Sequence, residues 1–568
     1  FTAGSPVSYT VASGTTIASQ QVGGTITGAG ADFQFITAPG VVNALLQVNA
    51  NVTATTASAT DTGISLRASS LGVPGPSASF TGTLSTNGLV SLNSASDLSF
   101  SNSVTGSGIS LTAGDDVSGT NLSLTATAGD ITINADEVTA QSVDLNATGA
   151  VTGTNLDISA TAGDIDIDSG SVNARNLRAT DDVLVDSAGA VSLGGVVTAD
   201  SDSSGAGSVA IGASVDPSSL SITGATSGVS VDLDAVGDLS TGAVSTTAGN
   251  LAIDSATGNI VGGVLSAMGG DISTNSAAGS TLLGTQTASG SVTGNSGTTY
   301  GSGLITTTTG NVGVTSGDTA TIAGLSSGGS ASVSAATGDV VLSADAGSVG
   351  TLSLSATTGD VRTTNGAALS TSGTAALVDI DAAGAVDVDD VTTSGAGSNV
   401  DMNAGTAVTV GDTSVTGTQA LTAGTTLTGG ALSATGTSTL QAGGDITTAS
   451  ITSSAGGIDV DSTGAGALDL GVLNAATTLA LDTAGTVTAG ATMAGGALTV
   501  GANTPGTTVT FTDAVSAASL ELNGSGLLSA TSLTATGGDI DINTGAVTAT
   551  GALSATDDVL VDSAGAVS

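Results

Sequence analysis

The chain has no cysteine, no histidine, no tryptophan and no lysine; its only basic residues are Arg67, Arg175, Arg178 and Arg362. Without Cys there are no disulfides and no thiolate sites. Without His, Lys and Cys the usual nucleophile–base pairs of covalent catalysis cannot be assembled. Aromatic residues make up 1% of the chain, with Tyr9, Tyr300 and six Phe. A wide globular core normally draws on large aromatic side chains, so the interior is read as narrow and filled by Val, Ile, Leu and Ala. Four positive charges face 47 acidic ones, for a net charge of −43. That balance excludes a nucleic-acid binder that works through phosphate contacts. It also opposes attraction to an anionic membrane surface, and leaves cation binding or solubility as the uses of the charge. No apolar run reaches the roughly 18–20 residues of a membrane span.

What the chain does have is glycine, 86 residues of it, and self-similarity. Asn121 to Ile133 reads Asn-Leu-Ser-Leu-Thr-Ala-Thr-Ala-Gly-Asp-Ile-Thr-Ile, and Asn155 to Ile167 repeats it as Asn-Leu-Asp-Ile-Ser-Ala-Thr-Ala-Gly-Asp-Ile-Asp-Ile. Each copy is a short alternating strand, a Gly-Asp turn and a second short strand. Turn glycines at Gly338, Gly359, Gly384, Gly405, Gly424 and Gly443 are 21, 25, 21, 19 and 19 residues apart. A period near 20 is that of one turn of a parallel β-helix, whereas α-solenoid repeats need 33 or more. Acidic, Gly/Ser-rich chains are often disordered. Here the strict alternation in Val143-Asp-Leu145, Val378-Asp-Ile380 and Ile458-Asp-Val460 points to half-buried strands instead.

The predicted fold is therefore all-β: a parallel β-solenoid of roughly 20-residue rungs, rod-shaped, with Val, Ile and Leu inward and Ser, Thr, Asn and Asp outward. About 28 rungs at the strand spacing of ~4.8 Å would give a rod on the order of 130 Å long. Residues 1–110 hold Pro6, Pro39, Pro74 and Pro76, and Phe1, Phe33, Phe35, Phe80 and Phe100. They read as an irregular, slightly wider β-rich section or cap, with strand-like runs at Val41 to Thr55 and Ile64 to Ser69. Regular repeats occupy 111–568. Ala179 to Ser192 returns unchanged at Ala555 to Ser568, which implies a duplicated block of roughly 375 residues. The second copy stops in mid-pattern, and the expectation is a coil that continues beyond the given C-terminus or stacks end to end.

Carboxylates are the only groups in quantity that carry chemistry. Asp164, Asp166 and Asp168 alternate with Ile165 and Ile167 and so share one outward face. Asp379 with Asp381, Asp387 with Asp389, Asp459 with Asp461, and Asp539 with Asp541 repeat the arrangement. Like charges at rung spacing repel by about 0.9 kcal/mol per pair at the dielectric of water. Ca2+, which takes oxygen ligands, would relieve that repulsion, so these eleven aspartates are the candidate metal ligands. Adjacent pairs at Asp115–Asp116, Asp181–Asp182 and Asp389–Asp390 are candidates for acid–base glycoside hydrolysis. They recur as turn residues, and solvated turns are the reading they favour. No catalytic or cofactor-binding residue is assigned.

The repeat form Leu-x-Leu-x-Ala-x-x-Gly-Asp-Ile-x-Ile, over residues 110 to 568, resembles the β-helical repeats of filamentous-haemagglutinin-like and autotransporter-type adhesins of Gram-negative bacteria. The resemblance is to their stalk repeats: no Asn-Pro dipeptide of the secretion domain occurs here. It implies a non-enzymatic, secreted or cell-surface protein, the stalk or fibre of a large adhesin, with itself or a host or neighbouring cell surface as partner. The alternatives are a self-assembling extracellular filament or surface layer held by calcium or end-to-end stacking, and, more remotely, a polysaccharide-processing β-helix enzyme.

Overall fold

The computed structural model describes residues 2–3, 7–11, 19–37, 44–70 and 76–568. Phe1, Pro6, Pro39, Pro74 and the start of the run from Val41 lie outside the described residues. Every described element is a strand or a turn, and the architecture is a parallel β-solenoid of roughly 20-residue rungs, about 24 turns in all. The count is lower than 28 because several rungs carry insertions. Ala31 pairs with Ile64, Leu45 with Ser77, and Val191 with Leu220, each spacing well above 20. The first two lie in the less regular N-terminal section. Phe80 and Phe100, buried there on successive rungs, stack with ring centroids 5.5 Å apart.

The chain divides into two compact units, Phe1–Ala288 and Ser289–Ser568. In the first, each regular rung contributes one short strand to each of three parallel ladders. One ladder runs through Asp157–Ala160, Asn176–Ala179, Val197–Thr198 and Thr226–Gly228. A second runs through Ile165–Ser169, Val183–Ser187, Val209–Ile211, Val231–Ala235 and Leu251–Ser255. The third holds Ala150–Thr152, Ser171–Ala174, Ala190–Leu193 and Ser219–Ile222. The alternation in sequence sets which side chain enters the coil. Val143, Ile165, Val183, Val209, Val231, Leu251 and Ile272 form one unbroken column down the second ladder. None is more than 1% exposed. One rung alone could not shield that stripe, so burial is a property of the stack.

The second unit repeats the three-ladder plan. Leu352, Val378 and Val400 stack in one ladder, and Leu427, Ile446, Leu468 and Val487 in another. Two departures from the expected aliphatic interior stand out. Below Val400 the column continues as Gln419 and Ser438, both buried. Thr413 donates its hydroxyl to Gln419 Oε1 at 2.7 Å, and Gln419 Nε2 donates to Ser438 Oγ at 3.0 Å, so the polar step satisfies itself. Elsewhere, some buried hydroxyls close corners. Ser462 donates to the Gly444 carbonyl at 2.8 Å, and Thr483 to that of Gly466 at 2.6 Å. In the first unit Ser255 does the same with Gly237.

The corners explain the Gly-Asp signature. Asp130 Oδ1 accepts the backbone N–H of Ala150, one rung on, at 2.7 Å. Asp339 accepts from Asp360 N at 3.0 Å, and Asp360 in turn from Ala385 N at 2.8 Å. Asp390, Asp412 and Ala431 form another such series, and in the first unit Asp238, Asn259 and Ser280 a third. The donor usually follows a glycine, and the glycine is there for space. A Cβ on Gly149 would stand 2.1 Å from Asp130 Oδ1, and one on Gly384 2.1 Å from Asp360 Oδ1. These turns therefore hold a carboxylate or amide that ties the next turn, and a glycine that admits the one before; at others a hydroxyl does the tying, as Ser330 Oγ accepting from Thr351 N at 3.2 Å.

The repeated motif does not mark a repeated rung. In the first copy Leu124 lies in the second ladder, opposite Leu145, and Ile131 in the third, opposite Val151. In the second copy Ile158 lies in the first ladder and Ile165 in the second. The same strand–turn–strand unit has moved by one face. The longer duplication keeps its place: Val183–Ser187 lies on Ile165–Ser169 as Val559–Ser563 lies on Ile540–Thr544. The corner bonds match too, Asp182 N to Asp164 Oδ1 at 3.0 Å and Asp558 N to Asp539 Oδ1 at 2.9 Å.

Replacing Gly384 by Ala is expected to destabilise the second unit by about 1–3 kcal/mol through steric overlap. Asp360→Ala is expected to cost about 1 kcal/mol by orphaning the Ala385 N–H, whereas Asp360→Asn retains the acceptor. Chemical denaturation of these variants checks the order, and the double variant Asp360→Ala/Gly384→Ala should lose less than the sum of the two singles.

Candidate functional site

The outward carboxylates gather mainly on one ladder of each unit. In the first, Asp144 lies directly opposite Asp166, Asp168 opposite Asp186, and Asp234 opposite Asp254. In the second, Asp379 lies opposite Asp401, Asp461 opposite Asp482, and Glu521 opposite Asp541. Of the eleven aspartates singled out from sequence, Asp166, Asp168, Asp379, Asp381, Asp459, Asp461 and Asp541 stand on these faces. Asp164 and Asp539 do not: they are corner acceptors for the Asp182 and Asp558 amides. Asp387 lies on a different ladder, opposite Arg362, whose guanidinium pairs with Asp339 at 2.8 Å. Asp389 sits at the end of its strand, its N–H donating to Thr363 Oγ1 at 2.9 Å. Asp390, beside it, is a corner acceptor for Asp412 N.

Burial and stacking shift the ionisation of Asp166, Asp379, Asp459 and Asp234. Partial burial, then Asp168, Asp144, Asp186 and Asp164, raise the Asp166 carboxyl above its usual range. Burial followed by Asp381 and Asp401 raises Asp379, against a lowering hydrogen bond from Ser353. Asp459 is raised by burial, then by Asp461 and Asp482. The largest shift is at Asp234, pushed up to about 7 by burial, then by Asp232, Asp254 and Asp216. Asp157 moves the other way, held down first by its hydrogen bond from Arg175.

Two insertions frame the acidic stretch of the first unit. Asp186 Oδ1 accepts from Ser214 N at 2.9 Å and Val215 N at 3.2 Å, anchoring the 212–218 excursion. Ala213 to Val215 then wall a depression of about 430 Å³ whose floor includes Asp166, Asp168 and Asp186. Between residues 199 and 208 a second excursion folds on Asp200, whose carboxylate accepts from Ser204 Oγ and Gly205 N. Beside it, Asp164, Asp181 and Asp182 bring carboxylate oxygens within 4.8 Å of one another. Among the described residues this is the one acidic group with metal-ligand spacing, and it contains a single member of the eleven. Sequence pairing along one strand identified neighbours two residues apart on one face. The partners that matter more, Asp144, Asp186, Asp254, Asp401 and Asp482, are a rung away, and the spacing of roughly 20 was the signal that could have found them.

Comparison with protein-family models, with curated proteins and with solved structures gives no match for this chain.

Asp234 supplies a pH test. Its folded pKa lies above the unfolded value, so the protonated carboxyl is the form the fold favours. That contribution is complete below about pH 4 and is lost as pH rises through about 7. At low salt the melting temperature should fall between those limits, and Asp234→Asn should flatten the slope. Added salt should raise the melting temperature at neutral pH by screening the stack.

Proposed function

We propose that the chain is the structural stalk or fibre section of a large extracellular adhesin, secreted or displayed at a bacterial cell surface and without catalytic activity of its own. The observation that carries this reading is the commitment of the corner carboxylates to the next rung. Asp130, Asp339, Asp360, Asp390, Asp412 and Asp445 each accept a backbone N–H from the following turn. Residues used this way build length, and length with a repetitive surface is what a stalk requires. The adhesin-like form of the repeats supports the same reading. Its partners would be a host or neighbouring cell surface, or other copies of itself. Electron microscopy of the purified protein tests it: isolated rods are expected, and ordered polymers would overturn it in favour of a filament.

A second reading, a self-assembling filament or surface layer held by calcium, draws on the convergence of Asp164, Asp181 and Asp182. Under it, Asp164 and Asp182 would offer their remaining oxygens to the ion while still accepting the Asp182 and Ser208 amides. Calcium should then raise the melting temperature of the wild-type chain and leave that of Asp181→Asn nearly unchanged. An equal response of both to calcium and to an inert salt of the same ionic strength would mark simple screening.

A further inference from the structure

The chain contains three Asn-Gly dipeptides, Asn87–Gly88, Asn365–Gly366 and Asn523–Gly524. The fold treats them very differently. Asn87 is tied at both ends of its amide: Oδ1 accepts from Thr56 N at 2.7 Å, and Nδ2 donates to Thr56 O at 3.0 Å. The Gly88 N–H is bound to Thr86 Oγ1 at 3.0 Å, and the backbone oxygen of Asp61 closes over the glycine. Asn523 lies inside the long strand Ser519–Ala535, opposite Asn543, with Nδ2 donating to Glu521 and Gly524 paired to Gly506.

Asn365–Gly366 is the exception. Thr364 to Ala367 form a tight corner closed by the Ala367 N–H donating to Thr364 O at 3.3 Å. Both central residues have positive φ, 61° for Asn365 and 73° for Gly366. That is the type I′ geometry for which Asn-Gly is the preferred pair. The corner is exposed, and a Cβ on Gly366 would meet nothing within 4 Å. The Asn365 amide makes only two contacts at 3.5 Å, to Ser343 O and Thr364 Oγ1.

We propose that Asn365–Gly366 is a site of spontaneous covalent modification in the folded protein, converting Asn365 to aspartate and isoaspartate. The Gly366 amide nitrogen gives its proton to solvent and attacks Cγ of Asn365. The N–Cγ bond forms, the Cγ–Nδ2 bond breaks, and Nδ2 leaves as ammonia. Water then opens the cyclic imide at either carbonyl, so the net change consumes one water, releases one ammonia and adds one carboxylate. No group beyond water is needed. The backbone must leave the type I′ conformation for the ring to close. Local opening of an exposed corner with one closing bond is far easier than opening a strand held on both sides. The flanking strands Val361–Thr363 and Leu369–Thr371 stay in their ladders, so the corner changes without unstacking its rung.

Peptide mapping by mass spectrometry after prolonged incubation of the full folded chain at neutral pH tests this, alongside the same chain held in urea. In the folded protein Asn365 should convert well ahead of Asn87 and Asn523, while in urea the three should convert at similar rates. Charge separation should show one new acidic species that co-migrates with Asn365→Asp and is absent from Asn365→Gln. Conversion of Asn87 or Asn523 as fast as Asn365 in the folded chain would overturn the proposal. So would an intact Asn365 there after all three have converted in urea.

Discussion

Everything in this fold depends on one rung fixing the next. Parallel backbone pairing does this for the strands and reaches into the corners, where the Gly384 N–H donates to Gly359 O at 2.9 Å and that of Gly149 to Gly129 O at 2.9 Å, and side chains then reinforce it. The reinforcing side chain is one just long enough to reach one rung: aspartate or asparagine accepts the next turn's N–H, as at Asp339, Asp360 and Ala385. A glutamate would overreach. The chain has only Glu137 and Glu521 among its 47 acidic residues, in keeping with that limit. Glycine completes the device by leaving out the one atom that would stand in the way. Register is set at each corner as well as along each strand, and a slip of one residue breaks both.

That device also accounts for the charge. Where aspartate serves at a corner, its charge meets a backbone N–H. At Asp234, which faces out from a strand beside Asp254, partial burial and the neighbouring carboxylates make the carboxyl hold its proton more tightly. Two populations of aspartate are therefore present, one supporting the coil and one straining it. The second is tolerated because the aliphatic column behind it, such as Val231 and Leu251, is buried almost completely.

The coil and its rung length were legible in the sequence because period-2 alternation and glycine spacing are local signals. Which aspartates face one another was not, since a contact between residues such as Asp168 and Asp186 depends on each rung's length, and insertions vary that length. Asp164 shows the difficulty. It belongs by alternation with Asp166 and Asp168, yet it lies in the corner and is held by the Asp182 amide. The polar step at Gln419 and Ser438 was hidden for a similar reason: each looks like a surface residue until Thr413 is brought beside Gln419 and Gln419 beside Ser438.

The displacement of one motif by a single face, from Leu124 and Ile131 to Ile158 and Ile165, says that the three ladders are interchangeable hosts. A strand with its corner can be inherited onto any side of the coil. The quantum by which such a gene can lengthen is then a third of a turn rather than a whole one. Unequal exchange between similar segments would keep the protein folded at most of its crossover points, and a family of such chains should differ in length by fractions of a rung.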